Sequence, residues 1–191
     1  MDTKTIILIG AEGSGKGTQA SILAKKLGFF HYDSGQLFRD RSDMVLTGGK
    51  TVGEVIDAGL FLSDDQVIDF LKQILPGILG ASGIVFDGVP RSTSQAEFLL
   101  SYLKEHGREH IVSVYLKLSE DEAIKRLLKR AEIEKRADDT LDKIKLRLKQ
   151  YDELTLPMLE YMRTRTEFIE IDGAPSIEEV AKAISAKLKL P

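Results

Sequence analysis

The sequence lacks cysteine and tryptophan, and it has only three histidines among 191 residues. Without cysteine, the chain cannot form a disulfide, hold a thiolate-ligated zinc or use a thiol nucleophile. Long apolar runs are missing too, since none approaches the roughly 18–20 residues that a membrane-spanning helix needs. The apolar run near the N-terminus is too short for the core of a signal peptide, so the sequence predicts a cytoplasmic protein without a membrane partner.

Charge is nearly balanced overall but unevenly distributed. The 27 Lys and Arg against 30 Asp and Glu give a net charge of −3, which excludes a globally basic nucleic-acid binder. Residues 125–149 nevertheless contain ten Lys and Arg and only five Asp and Glu. A basic segment on an acidic body suits a polyphosphate ligand. The alternative, an RNA-binding patch, is less favoured because the segment has no aromatic side chain to stack on bases.

Apolar runs typical of buried strands alternate with helical patterns along the chain. The runs lie at 5–9, 29–31, 83–86, 111–118 and 168–171. Capping-box pairs predict helix starts at Ser63, with Gln66, and at Ser176, with Glu179. A long helix is predicted from 138 to 163, bent near Pro157. This alternation predicts one α/β domain over 1–191, with a five-stranded parallel sheet covered on both faces and ligands at the carboxyl ends of its strands.

The strongest motif is the glycine-rich segment 10–18, Gly-Ala-Glu-Gly-Ser-Gly-Lys-Gly-Thr, between a predicted strand and a predicted helix. This context is that of a phosphate-binding P-loop, in which glycines let consecutive backbone N–H groups point at a phosphate. Lys16 would reach the β- and γ-phosphates, and Thr18 would lie near the phosphate and Mg²⁺. Asp87 ends another buried strand and is a candidate Mg²⁺ residue, directly or through water; the alternative is an aspartate that caps a turn.

Further motifs follow the P-loop in a fixed order over nearly the whole chain. They are Asp-Ser-Gly-Gln-Leu-Phe-Arg at 33–39, Asp-Ala-Gly at 57–59, Leu-Ser-Asp at 62–64, Asp-Gly-Val-Pro-Arg at 87–91, Gln95, and Arg-Ala-Asp-Asp at 136–139. The sequence thereby resembles adenylate kinases and related nucleoside monophosphate kinases. The resemblance implies a three-layer P-loop kinase with a mobile AMP-binding segment at 34–62 and a lid at 130–138. The lid resembles the short form of the family, which implies a monomer without structural zinc.

The same resemblance implies the reaction MgATP + AMP ⇌ 2 ADP, with ATP and AMP as partners and Mg²⁺ as cofactor. The implied catalytic residues are Lys16, Arg91, Arg130, Arg136 and Arg147. The implied ATP-binding residues are Glu12, Gly13, Ser14, Gly15, Lys16, Gly17, Thr18, Arg126, Arg130, Ala174 and Pro175. The implied AMP-binding residues are Ser34, Gly35, Phe38, Arg39, Leu60, Leu62, Gly88, Arg91, Gln95, Arg136 and Arg147.

The preferred base is indicated by two positions. The amide of Gln95 can donate to and accept from adenine at once, whereas the related UMP/CMP kinases place Asn there and Ala at the position of Ser34. Both residues here favour AMP, and a pyrimidine monophosphate kinase is the alternative. Gln95 could instead only complete a capping box with Ser92.

Three residues depart from the family pattern. Glu12 stands where proline is usual, Gln36 replaces an acidic residue and Val89 replaces phenylalanine. A carboxylate beside a triphosphate is unfavourable, because two negative charges 4 Å apart repel each other by about 4 kcal/mol at a surface-like dielectric. Glu12 therefore keeps open a third interpretation, a nucleotide-dependent binding module with weak turnover.

Overall fold

The computed structural model describes residues 5–134 and 140–190. The strands are β1 (Thr5–Gly10), β2 (Phe30–Asp33), β3 (Ile84–Asp87), β4 (Ile111–Lys117) and β5 (Glu167–Asp172). The helices are α1 (Lys16–Leu27), α2 (Ser34–Arg39), α3 (Val52–Asp57), α4 (Asp64–Ile78), α5 (Thr93–Glu105), α6 (Glu120–Glu134), α7 (Leu141–Gln150), α8 (Leu156–Arg163) and α9 (Ile177–Lys187). A π-helical turn, Tyr151–Thr155, joins α7 to α8.

The strands form one sheet in the order β2-β3-β1-β4-β5, and every pairing is parallel. The predicted five-stranded parallel sheet is therefore confirmed. After β1 the chain builds the β2–β3 side of the sheet and then crosses to the β4–β5 side. The carboxyl end of β1 thus lies where the winding reverses, which is where open α/β sheets bind ligands.

The central strand β1 is buried on both faces. Ile7 and Ile9 belong to one apolar cluster, and Ile6 and Leu8 belong to the other. Successive side chains of a strand point to opposite faces, so a strand covered on both sides must be apolar at every position. This explains the uninterrupted apolar run at the start of the sequence.

Two helix starts follow the sequence signals closely. Ser63 and Gln66 form a reciprocal capping box at α4, and Ser176 and Glu179 form another at α9. α4 continues to Ile78, with Pro76 in its last turn. None of the helices within 5–134 and 140–190 combines the length and apolar character that a membrane crossing requires.

The long helix predicted over 138–163 is instead divided into α7, a π turn and α8. Pro157 lies in the first turn of α8, directly after the π turn. Proline has no N–H to donate and its ring crowds the preceding turn, so a wider turn there avoids the conflict. The predicted start of this helix at 138 and 139 lies outside the described residues.

The core packing predicts a large difference between two leucine truncations. Leu99 of α5 is fully buried, whereas Leu154 is 43% exposed. We expect Leu99→Ala to lower the free energy of unfolding by about 2–5 kcal/mol, because it leaves a cavity in the core. Leu154→Ala should lower the free energy of unfolding by less than about 1 kcal/mol. Chemical denaturation of both variants checks this, and equal losses would contradict the assigned core.

Candidate active site

A single cleft of about 790 Å³ at the carboxyl ends of the strands collects almost all the site residues predicted from the sequence. The predicted residues that line it are Glu12, Gly13, Ser14, Gly15, Lys16, Gly17, Thr18, Ser34, Gly35, Phe38, Arg39, Leu60, Leu62, Asp87, Gly88, Arg91, Gln95, Arg126, Arg130, Arg147 and Pro175. Ala174 is not in the lining, although its carbonyl contacts Arg126. Arg136 lies outside the described residues.

The P-loop connects β1 to α1, and two of its glycines have the geometry that the loop needs. Gly13 and Gly15 have φ values of +84° and +90°, which side chains with a Cβ rarely adopt. Lys16 is the first residue of α1, and its Nζ donates to the carbonyl of Ala11 at 2.9 Å. The lysine therefore folds back along the loop, with its charge at the helix N-terminus where phosphates bind.

Burial lowers the pKa of Lys16, and the neighbouring carboxylates of Glu12 and Asp87 act in the opposite direction. Burial raises the pKa of Asp87, while the charge of Lys16 opposes that rise. These three side chains thus form one electrostatic unit at the mouth of the P-loop. Each carboxylate stabilises the lysine in its charged form.

Strand register brings two carboxylates together beside the P-loop. Asp33 at the end of β2 pairs with Asp87 at the end of β3. One ligand atom from each of them and one from His31 lie within 4.8 Å of one another. Mg²⁺ prefers oxygen ligands, so the two carboxylates are the part of this cluster that fits it.

Arg91 is held in place from several directions. Its Nε donates to the carbonyl of Gly88 at 2.8 Å, its NH1 donates to Glu12 Oε1 at 2.6 Å, and its Cζ lies 4.3 Å from the ring centroid of Phe61. The backbone carbonyl of Arg91 also accepts from Thr155 Oγ1 at 2.8 Å. The guanidinium plane is therefore fixed before any ligand binds, which lowers the cost of ordering it.

Gly88 makes the close approach of the 87–91 loop to α2 possible. Its φ is +75°, and a Cβ at this position would lie 2.2 Å from Ser34 Oγ. Ser34 is itself fully buried. Glycine is therefore required here both by backbone conformation and by space.

Glu12 points at Arg91 rather than away from the phosphate site. Its side chain is 12% exposed. Burial alone would raise the pKa of Glu12. The charges of Arg91 and Lys16, with a backbone hydrogen bond and the charge of Arg147, hold that pKa below its ordinary value. The carboxylate is thus an anion at neutral pH inside a cationic cluster.

Gln95 does not complete a capping box with Ser92. Ser92 Oγ accepts from the backbone N–H of Gln95 at 3.3 Å, but the Gln95 side chain is used elsewhere. Its Oε1 accepts from the backbone N–H of Arg91 at 2.8 Å, and its Nε2 donates to Asp64 Oδ1 at 2.9 Å. Asp64 also accepts from Ser92 Oγ at 2.7 Å. The capping-box interpretation of Gln95 is therefore wrong, because both ends of its amide are bound by other groups.

Arg126 joins α6 to the loop after β5. Its NH1 and NH2 donate to the carbonyls of Gly173 and Ala174 at 2.8 and 2.7 Å, and its Nε donates to Glu122 at 2.9 Å. The hydrogen bond from Arg126 is the largest cause of the lowered pKa of Glu122. All three nitrogens of the Arg126 guanidinium thus donate to protein oxygens, and the faces of the group are the part most open to contact with a ligand.

The two predicted mobile parts, 34–62 and 130–138, border the cleft where the structure describes them. The first contains α2 and α3, and Gln150 of α7 binds its far end through Gly59 and Phe61. The second begins at Arg130 on α6, and residues 135–139 lie outside the described residues. Arg147 reaches the cleft from α7 and is 8% exposed.

Sequence reasoning missed three residues that hold the cleft together: Phe61 stacks on Arg91, Asp64 holds Gln95, and Gln150 ties the segment 34–62 to α7. Asp64 lies in a motif that the sequence had marked, but only as a segment end. Neither Phe61 nor Gln150 had any signal, because each acts through a contact distant in sequence.

Comparison with known proteins assigns the same family. The adenylate kinase family model matches residues 8–167. The adenylate kinase of Parabacteroides distasonis is 35% identical over 175 residues, which is 92% of each chain. That of Maricaulis maris is 35% identical over 184 residues, or 96% of this chain and 98% of the relative. That of Thermus thermophilus is 35% identical over 185 residues, or 97% of each chain.

The P-loop, Arg91 and Gln95 line one cleft at the carboxyl ends of the parallel strands. The family model matches the chain across all of these residues, and the three relatives match over at least 92% of its length. The chain belongs to the adenylate kinase family.

Proposed function

We propose that this chain catalyses MgATP + AMP ⇌ 2 ADP in the cleft described above, with the donor on the P-loop and the acceptor beneath Arg91 and Gln95. The observation that carries the proposal is the position of Arg91, which faces the P-loop across the cleft through Glu12. Donor and acceptor phosphates would therefore meet between Lys16 and Arg91. A nucleotide-binding module needs no second phosphate position.

Phosphoryl transfer needs positioning and neutralisation of charge more than covalent help from the protein. A phosphate oxygen of AMP, already anionic, attacks the γ-phosphorus of ATP in line, and the bond to the β–γ bridging oxygen breaks to release ADP. No general base is needed. Lys16 and the loop amides bind the donor phosphates, and Arg91 with Arg39 holds the acceptor phosphate.

The transferring group carries charge spread over its oxygens, which suits arginine. We assign this role to Arg130 and Arg147, with Arg136 completing the set from the lid. The faces of Arg126 suit stacking against the donor adenine, beside the loop that contains Ala174 and Pro175. Closure of 34–62 and the lid would exclude water, which is a competing phosphoryl acceptor.

Asp87 and Asp33 would hold Mg²⁺, directly or through water, beside the P-loop threonine Thr18. Mg²⁺ held by these residues would supply positive charge that neutralises part of the charge of the donor phosphates. No structural zinc is proposed. The resemblance of 130–138 to the short lid of the family supports a monomer, and we propose that it acts in nucleotide biosynthesis in the cytoplasm.

The acceptor base distinguishes this function from the alternatives. In parallel assays with MgATP, we expect AMP to be phosphorylated far faster than CMP, UMP or GMP, because Gln95 and Ser34 match the adenylate pattern. ADP formation is measured for each acceptor and without acceptor. Preference for CMP or UMP would indicate a pyrimidine kinase, and slow acceptor-independent hydrolysis alone would indicate a binding module.

Two substitutions test the roles of the charged residues. We expect Lys16→Met and Arg91→Ala each to lower kcat/KM by two orders of magnitude or more, because each removes a cation that binds phosphate in the transition state. Lys104→Met and Arg165→Ala change exposed residues outside the cleft and serve as matched controls. Circular dichroism checks the fold, and near-wild-type turnover in either test variant would contradict the assigned roles.

A further inference from the structure

Of the three acidic residues that line the cleft, Asp33 and Asp87 belong to the proposed Mg²⁺ site, and Glu12 is the one whose charge would oppose the ligands directly. It lies in the phosphate-binding loop, yet its carboxylate is turned inward, with Oε1 2.6 Å from NH1 of Arg91. The second oxygen, Oε2, is buried and has no hydrogen-bond partner among the described residues. The charge-assisted hydrogen bond from Arg91 is thus the side-chain contact that holds this carboxylate within the described part of the chain.

The remaining contacts of Arg91 decide which part of its guanidinium a phosphate can use. Nε is bound to Gly88, and one face covers Phe61. The edge formed by NH1 and NH2 is the one left for bidentate binding of a phosphate. Glu12 is bound to NH1, one of the two nitrogens of that edge. A phosphate that binds there would be repelled by the carboxylate, so the two anions compete for Arg91.

We propose that Glu12 is an internal counter-ion that occupies Arg91 until the acceptor's phosphate displaces it, so that Glu12 sets the affinity of the acceptor subsite. The inference rests on the proposed role of Arg91 in binding AMP. The lowered pKa of Glu12 is consistent with it, since the carboxylate remains charged at neutral pH. Because Glu12 belongs to the P-loop, its displacement also changes the charge that faces the donor.

The test compares binding of AMP with binding of adenosine, which has the base and ribose but no phosphate. Glu12→Gln keeps the size and polarity of the side chain and removes its charge. We expect the Kd of AMP to fall by tenfold or more in isothermal titration calorimetry, while the Kd of adenosine changes by less than twofold. In steady-state assays the KM for AMP should fall with no loss of kcat.

Glu109→Gln is the matched control. It makes the same charge change on an exposed residue just before β4, at the opposite end of the sheet, and it should alter neither Kd. Equal tightening in this variant would indicate a general charge effect and would overturn the proposal. Unchanged or weaker binding of AMP to Glu12→Gln would also overturn it, and weaker binding would indicate that Glu12 positions Arg91 for the phosphate.

Two further variants keep the test decisive. Glu12→Pro removes the anion by introducing the residue that is usual in the family at this position. It should likewise tighten AMP binding, with equal or higher activity. A clear loss of activity would contradict the proposal.

Arg91→Ala tests the role on which the inference rests. If it leaves the Kd of AMP unchanged, the acceptor role of Arg91 fails. If it weakens AMP binding while Glu12→Gln has no effect, only the counter-ion proposal fails.

Discussion

The site depends on keeping several cationic side chains together in a place where water screens them poorly. Two like charges 4 Å apart repel by about 4 kcal/mol at an effective dielectric of 20. The charges of Arg91 and Arg130 accordingly act against the charged form of Lys16. Glu12 and Asp87 lie among them and raise the pKa of the buried lysine against the effect of burial. The protein thus carries its own anions where it is to bind phosphate. If Asp87 serves the metal, Glu12 is the anion that a phosphate can replace.

The parallel sheet makes this concentration of charge possible. Because all strands run the same way, their carboxyl ends meet at one edge, and the register places Asp33 opposite Asp87 with β1 alongside. Two apolar clusters, one on each face, fix the strands so that the loops at this edge begin from rigid positions. Helices packed around this edge then hold the loops. Thr155 of the π turn and Gln150 of α7 bind Arg91 and Phe61, and Arg126 of α6 binds the loop after β5.

Local and repetitive signals predicted the fold and the P-loop, and the family resemblance supplied most of the other residues that line the cleft. Apolar runs indicated the five strands, and the glycine spacing identified the P-loop, because both patterns follow from backbone geometry. The features missed depend on contacts between distant segments. The partners of Gln95 are an example, since Ser92 suggested a local cap while Asp64, 31 residues earlier, takes the amide. The π turn before Pro157 was expected only as a bend, because proline predicts a disturbance but not its form.

The kinetic meaning of Glu12 depends on when it leaves Arg91. If displacement is complete once AMP is bound, the free energy of separating Glu12 from Arg91 raises the bound complex and the transition state equally. This free energy then raises KM and leaves kcat unchanged, as for any uniform change in binding. If Glu12 instead remained beside Arg91 during transfer, its charge would oppose the spread negative charge of the phosphoryl group, and kcat would be lower as well. Arg91 is already fixed by Gly88 and Phe61, so it does not need Glu12 to hold its orientation. The geometry therefore favours complete displacement, in which the carboxylate affects acceptor affinity and not the chemical step.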